Sequence, residues 1–171
     1  MSVVKHKAQR VAVLIDVQNL YHSARNLYNA RVNFKEIVKA TVADRQLVRA
    51  LAYVIRTESG DEKSFLEALD KIGIEIRIKD LQIFPGGVKK ADWDVGIAMD
   101  AVKLGSKIDA LILMSGDGDF VPLIEFMHQV NGVQVEVAAF GRSSSQRLKE
   151  TCDEFLDIGS DPRKFLMKIR M

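Results

Sequence analysis

The chain has 171 residues, of which 47% are hydrophobic and 28% charged, and its formal net charge is +2. This composition predicts one soluble globular domain, and the small net charge excludes a surface that holds a polyanion by overall charge alone. The single Cys152 excludes an intrachain disulfide and a cysteine-based zinc cluster. No apolar run approaches the ~18 residues of a membrane span. The polar N-terminus lacks the apolar segment of a signal peptide, so we expect a cytoplasmic protein without membrane contact.

The first third of the chain predicts a strand, a helix and a second strand. Residues 11–15 are apolar and β-branched, which predicts a short buried strand that ends at Asp16. Residues 19–28 carry apolar side chains at helical spacing. Residues 41–47 are ambiguous, and residues 48–55 are apolar enough for a second strand.

The middle of the chain predicts a helix, a strand and a loop. Ser59 and Glu62 resemble a capping box that begins a helix, and Gly73 is expected to end it. Residues 74–78 alternate apolar and charged side chains, as a half-buried strand does. Residues 82–90 contain a Pro-Gly-Gly sequence and predict a loop.

The last part of the chain continues the alternation of helices and strands. Residues 93–104, 120–130 and 145–155 predict helices, because their apolar side chains recur at helical spacing. Residues 109–114 and 133–140 are apolar runs that predict buried strands. The whole pattern therefore alternates strand and helix, with five strands in all.

Regular alternation of strand and helix predicts an α/β fold, here a three-layer α/β/α sandwich with a mainly parallel central sheet. Right-handed crossovers and short connections favour the spatial strand order 3-2-1-4-5. We expect a single domain over residues 1–171, with its core at about 11–158.

Four aspartates from three separate segments are expected at one edge of this sheet. Asp16 ends the first strand, Asp117 and Asp119 follow the fourth, and Asp94 lies in the first turn of the helix after the third. Ligands of open α/β sheets bind at the carboxyl ends of the strands. Crowded carboxylates repel one another unless a cation lies between them, and Mg²⁺ or Mn²⁺ prefers such oxygen ligands. Two such ions about 4 Å apart can activate water and stabilise the leaving oxygen in phosphodiester hydrolysis.

Each acid also has a simpler explanation when it is taken alone. Asp16 fits the N-cap of a helix, Asp94 fits a first-turn acid that complements the helix dipole, and Asp117 or Asp119 fits a second cap. The convergence of all four favours a shared metal site.

Several polar residues near the same edge are candidate contacts for phosphate. The Asn19 amide could bind a phosphate or a metal-bound water, with a hydrogen bond at the helix start as the alternative. Ser115 could donate to a ligand or satisfy the strand end. Lys90 precedes the third acid, and Arg142 with Ser143 precedes the last helix, where an anion could bind; capping is the alternative for the serine. The histidines lack a partner at metal-ligand spacing and are interpreted as surface or core residues: His6, His22 and His128.

Three motifs together resemble NYN-domain proteins of the LabA-like group, within the PIN-like nuclease superfamily. They are LIDVQN at 14–19, KADWDVGIAMD at 90–100 and LMSGDGDF at 113–120. The segment 145–155 is similar to the last helix of the family. The resemblance covers about residues 11–158, and its motifs are specific in combination.

The resemblance implies a PIN-like, Rossmannoid fold and a metal-dependent ribonuclease whose ligands are Asp16, Asp94, Asp117 and Asp119. Asn19 matches the asparagine of the first motif. The family usually has Lys-Gly-x-Asp before the third acid, whereas one extra residue follows Lys90 here, so Asp92 competes for that role. Asp94 is retained because residues 95–100 then align with the helix of the family.

Two functions follow from the sequence as hypotheses. The first is an Mg²⁺- or Mn²⁺-dependent ribonuclease that hydrolyses phosphodiester bonds of single-stranded or structured RNA. The second is a catalytically weak or inactive RNA-binding or regulatory module on the same fold, which the short length and modest charge favour. The number of ions and the oligomeric state stay open, with a homodimer as one option.

Overall fold

The computed structural model describes residues 3–57, 63–87 and 89–169, with only the backbone described for Lys89 and Lys90. The capping box predicted at Ser59 and Glu62 lies outside the described residues.

Within those residues, strands occupy the following segments: β1 Arg10–Asp16, β2 Ala30–Val32, β3 Gln46–Arg56, β4 Glu75–Asp80, β5 Gln82–Ile83, β6 Lys89–Lys90, β7 Ala110–Met114, β8 Gln134–Ala139, β9 Glu154–Asp157 and β10 Leu166–Lys168. Six of them form a parallel sheet in the order β4-β3-β1-β7-β8-β9. This confirms the predicted order of five strands and adds β9 at the edge.

Helices occupy these segments: α1 Val17–Tyr28, α2 Phe34–Val42, α3 Lys63–Lys71, α4 Asp94–Leu104, α5 Val121–Phe126, α6 Gln146–Thr151 and α7 Pro162–Phe165. A 3₁₀ turn, Gly118–Phe120, precedes α5, and a π-helical turn, Met127–Asn131, continues it. Because parallel crossovers are right-handed, the strand order places α1, α2 and α3 on one face of the sheet and α4, α5 and α6 on the other. The predicted α/β sandwich is confirmed.

The helix predicted at 145–155 is wrong in its second half. Helix α6 ends at Thr151, and Cys152 turns to an extended conformation (φ −71°, ψ 158°). The Asp153 backbone N–H donates to the Val135 carbonyl at 2.8 Å, and the Asp153 carboxylate accepts from the Val135 N–H at 2.7 Å. These two bonds fasten the chain beside β8, so the residues that follow form the edge strand β9.

The structure assigns one segment that the sequence leaves ambiguous, and it contains two strand pairs that were not predicted. The ambiguous residues 41–47 contain the end of α2 and the start of β3, separated by a turn at Ala43 (φ +55°). The loop predicted at 82–90 contains the antiparallel pair of β5 and β6. Strand β10 pairs with β2 in a second two-stranded sheet that the sequence did not predict.

The central strands β1 and β7 position the site. Residues Val11 to Ile15 and Ala110 to Met114 are fully buried, which removes a large apolar area from water and fixes both strands. The two strands lie side by side, with Ile15 opposite Met114, so their carboxyl ends deliver the following residues to one place. None of the helices in the described segments is long and apolar enough to cross a membrane.

Candidate metal centre

Three carboxylates meet where β7 ends and α4 begins. Asp94, Asp117 and Asp119 each offer one oxygen, and these oxygens lie within 4.8 Å of one another. Oxygens bound to one divalent ion at about 2.1–2.5 Å lie at most about 4–5 Å apart, so this acid trio fits a shared ion with little movement. Carboxylate oxygens are also the ligands that Mg²⁺ and Mn²⁺ prefer.

Asp16, the fourth predicted ligand, lies outside the trio but faces the same cavity. It is the N-cap of α1: its Oδ1 accepts from the Asn19 N–H at 3.3 Å, and its Oδ2 accepts from the Ser115 hydroxyl at 2.9 Å. Burial raises the pKa of Asp16, even though these hydrogen bonds lower it. The capping role and a place at the acidic site therefore apply to the same residue.

A chain of hydrogen bonds connects the acids along the β7 loop. The Ser115 Oγ that donates to Asp16 also accepts from the Asp117 N–H at 3.2 Å. The Asp117 Oδ1 in turn accepts from the Asp119 N–H at 2.9 Å and caps the 3₁₀ turn. Ser115 is fully buried, so in this structure it positions acids.

Asp94 lies where its surroundings disfavour a negative charge. It begins α4 and its N–H donates to the Asp92 Oδ1 at 3.1 Å. Burial, followed by repulsion from Asp117, Asp92, Asp16 and Asp119, raises the pKa of Asp94 to about 6. Asp92 is exposed and lines the cavity but lies outside the trio, which favours Asp94 as the third acid.

The acids of this edge have no cationic partner among the described side chains. Among the side chains that the structure describes, which do not include those of Lys89 and Lys90, no lysine, arginine or histidine forms an ion pair with Asp16, Asp94, Asp117 or Asp119. Their hydrogen-bond donors are backbone amides and a serine hydroxyl, which stabilise a negative charge without neutralising it. Carboxylates in this arrangement are able to hold a divalent cation.

A cavity of about 290 Å³ opens beside the acids. One wall is acidic, one is the polar face of α1, and one is apolar, and the lining residues are Asp16, Gln18, Asn19, His22, Ser23, Ile55, Asp92, Trp93, Asp94 and Asp117. We refer to it as the acidic cavity. Trp93 is held there by its Nε1–H, which donates to the Val54 carbonyl at 3.0 Å, and by contact with the Tyr53 ring.

Sequence reasoning missed His22 as a residue of this site. The sequence predicts a surface or core histidine, yet His22 lines the acidic cavity. Helical spacing carries the signal that could have found it: His22 lies three residues after Asn19 and four after Gln18, on the same face of α1.

The candidate phosphate contacts are dispersed. Asn19 lines the acidic cavity, and its Oδ1 accepts from the Gly116 N–H at 3.0 Å, which joins α1 to the β7 loop. The Ser143 hydroxyl donates to the Ser23 hydroxyl at 2.9 Å. Ser23 lines the acidic cavity, so Ser143 lies one residue behind the cavity wall. Arg142 lies over the Tyr28 ring, 6.0 Å from its centroid, and does not line the cavity. The side chain of Lys90 lies outside the described residues.

Gly116 is required by a neighbouring loop. A Cβ at this position would lie 2.5 Å from the Ser144 Oγ and 3.1 Å from the Ser144 Cα. The Gly116 carbonyl also accepts from the Ser145 N–H at 3.0 Å. The absence of a side chain thus lets the loop before α6 pack onto the loop that carries Asp117 and Asp119.

The chain is similar to known proteins in sequence and in fold. The family model of the NYN domain matches residues 10–159. The chain is 25% identical to the "Low amplitude and bright protein LabA" of Synechococcus elongatus, over 95% of this chain and 90% of that protein. It is also similar to the crystal structure of a protein of unknown function from Vibrio parahaemolyticus, with a TM-score of 0.86 and 32% identity over 96% of this chain and 100% of that one.

Proposed function

The chain belongs to the NYN domain family, and we propose that it is a divalent-metal-dependent ribonuclease that hydrolyses RNA phosphodiester bonds in the acidic cavity. One observation carries the proposal: three carboxylate oxygens from two segments lie within 4.8 Å of one another, without a cationic partner among the described residues. Mg²⁺ or Mn²⁺ suits this donor set.

The four acids would have different roles, according to where each lies in the cavity. Asp94, Asp117 and Asp119 would hold the ion, and Asp16 would supply the fourth carboxylate of the cavity wall. When bound, a divalent ion supplies Lewis-acid activation of water and stabilises the charge that develops on the phosphate and leaving oxygens. Ser115 keeps Asp16 and the Asp117 backbone in register, so the charges are held before substrate arrives.

RNA would enter over the polar face of α1. Gln18, Asn19 and His22 can donate hydrogen bonds to phosphate or ribose oxygens from this wall. Ile55 and Trp93 form an apolar wall against which a nucleotide can pack. A volume of about 290 Å³ is at the small end of ligand sites, which suits one nucleotide of a longer strand.

The direct test is cleavage of labelled single-stranded and structured RNA in the presence of Mn²⁺ or Mg²⁺. We expect cleavage by the wild type, abolition by chelator, and a loss of about 100-fold or more in Asp117→Asn and Asp94→Asn, because each removes a charged ligand. Asp44→Asn is the matched control: it changes an exposed acid in the turn between α2 and β3, and activity should be unaffected.

Two outcomes would redirect the proposal. Equal cleavage by wild type and folded Asp117→Asn would contradict the metal site. Metal-dependent RNA binding without cleavage would instead select the RNA-binding module. Asp92→Asn serves a separate purpose: a loss as large as that of Asp94→Asn would assign the third ligand to Asp92.

A further inference from the structure

Helix α4 carries an apolar stripe on its outward face. Val95, Met99 and Val102 lie at positions i, i+4 and i+7, and their exposed fractions are 74%, 51% and 38%. The opposite face of α4 is the one that packs on the sheet, through Ile97 and Ala101. A surface helix normally has charged or polar residues opposite its buried face, so this stripe is unusual.

Helix α5 and its π-helical turn add two more exposed apolar residues. Phe126 is 38% exposed and Val130 is 63% exposed. They lie on the side of α5 that faces away from α6, because Glu125, on the other side, forms an ion pair with Arg147 of α6 at 3.6 Å.

The two stripes belong to one surface. The strand order places α4 and α5 next to each other on the same side of the sheet. The ends of the two elements also touch: a Cβ at Gly105, after α4, would lie 2.6 Å from the Asn131 side chain, at the end of the π-helical turn. We call this surface, formed by Val95, Met99, Val102, Phe126 and Val130, the α4–α5 face.

The size of the face suits a dimer contact. With ordinary side-chain areas, its five residues expose about 400–500 Å² of apolar surface, as large as the biggest patch of a typical monomer. Homodimer interfaces are about 65% apolar, so a contact centred on this face would bury about 700 Å² per partner. Standard-size interfaces bury about 800 Å² per partner.

The charge of the face favours a second copy of the chain as its occupant. None of its five residues is charged, so two copies related by a two-fold axis bring no like charges together at the centre. RNA would require basic residues, which the face lacks. Helices α4 and α5 run in the same direction. A two-fold axis perpendicular to them would therefore pack these two helices antiparallel to the same two helices of the second copy, as a group of four.

We propose that this protein forms a homodimer through the α4–α5 face. The contact lies on helices rather than in the acidic cavity, so it can be tested whether or not RNA is cleaved. Sedimentation velocity of the full chain across the micromolar range should show a dimer for the wild type. Met99→Glu and Val130→Glu should weaken the dimer about 10-fold or more, because each buries a charge at the centre of the contact.

Val4→Glu is the matched control for Val130→Glu. Val4 is 65% exposed and lies outside the α4–α5 face, so the same substitution at nearly the same exposure should leave the dimer intact. Circular dichroism would verify that each variant is folded. Hydrogen exchange of the wild type gives a second measurement that needs no variant: amides of 94–104 and 121–131 should exchange more slowly at high protein concentration than at low.

A wild type that remains monomeric at every concentration would overturn the proposal and leave the face to a partner of different sequence. A dimer that both glutamate variants leave unchanged would place the interface elsewhere on the chain. Exchange that does not depend on concentration in both helices would contradict it independently.

Discussion

Carboxylates at two places in this protein have opposite surroundings. Glu136 on β8 is buried, and its two oxygens accept from the Arg45 guanidinium at 2.7 and 2.9 Å. Gln134 donates a third hydrogen bond to it at 3.1 Å, and Lys5 lies 3.6 Å away. Among the side chains that the structure describes, no such cation pairs with the acid trio at the carboxyl edge of the sheet.

We call Glu136 a complete acid, because a cation within the fold neutralises its charge. We call the acids at the carboxyl edge of the sheet incomplete, because no described cation does so for them. A buried carboxylate is tolerated when a bidentate arginine and further donors satisfy it, as at Glu136. Among the side chains that the structure describes, Asp16 and Asp117 accept from neutral donors, and Asp94 has a raised pKa because burial, and then repulsion from neighbouring acids, disfavours its charged form. An internal cation therefore indicates a structural role, and its absence from a crowded group indicates a site for a ligand.

Removal of the cation at the complete site should have the largest effect on stability. We expect Arg45→Met to lower the free energy of unfolding by about 3–5 kcal/mol, because it leaves Glu136 charged and buried without its partner. Urea denaturation measures this difference. The double variant Arg45→Met/Glu136→Leu should recover most of the loss, and a single variant within about 1 kcal/mol of wild type would show that the pair is not structural.

Addition of a cation at the incomplete site should have the next largest effect. A ligand that binds only the folded state at 100 times its Kd raises the free energy of unfolding by about 2.7 kcal/mol. We expect Mn²⁺ or Mg²⁺ to stabilise the wild type in this way and to lose the effect in Asp94→Asn and Asp117→Asn. Thermal unfolding with and without metal measures it. Equal stabilisation of wild type and both variants would mean that the ion binds elsewhere.

The sequence was sufficient to predict the parts of this comparison that depend on local pattern. The apolar runs of β1 and β7 predicted buried neighbouring strands, and strand ends predicted where Asp16 and Asp117 lie. The structure confirms the predicted order of five strands. That order was predictable because right-handed crossovers leave few alternatives. Strand β9 was missed because its strand character comes from pairing with β8, which no local periodicity reveals.

The finer structure of the site depended on contacts that a sequence does not show. Asp16 lies outside the acid trio and accepts a hydrogen bond from Ser115, 99 residues away, a contact that no local pattern reveals. The place of His22 in the acidic cavity depends on how α1 is rotated against the sheet. The expected phosphate contact at Arg142 depended on the path of a loop that instead brings this side chain over Tyr28.

The smallest predicted effect concerns the pH dependence that burial and crowding give Asp94. Its pKa is about 6 in the folded chain against 3.8 for an unperturbed aspartate, so between these values the folded state binds more protons than the unfolded state. The free energy of unfolding of metal-free protein should therefore fall as pH rises from about 4 to 6. Asp94→Asn removes this penalty and should be more stable than wild type above pH 6, by about 1 kcal/mol or less because Asp94 is partly exposed and screened by solvent. Urea denaturation in chelator at pH 4.5 and 7.5 measures the difference between the two proteins, which cancels the contributions of other titrating groups. A difference that is the same at both pH values would mean that the pKa of Asp94 is not raised by its surroundings, and the distinction between complete and incomplete acids would then rest on Glu136 alone.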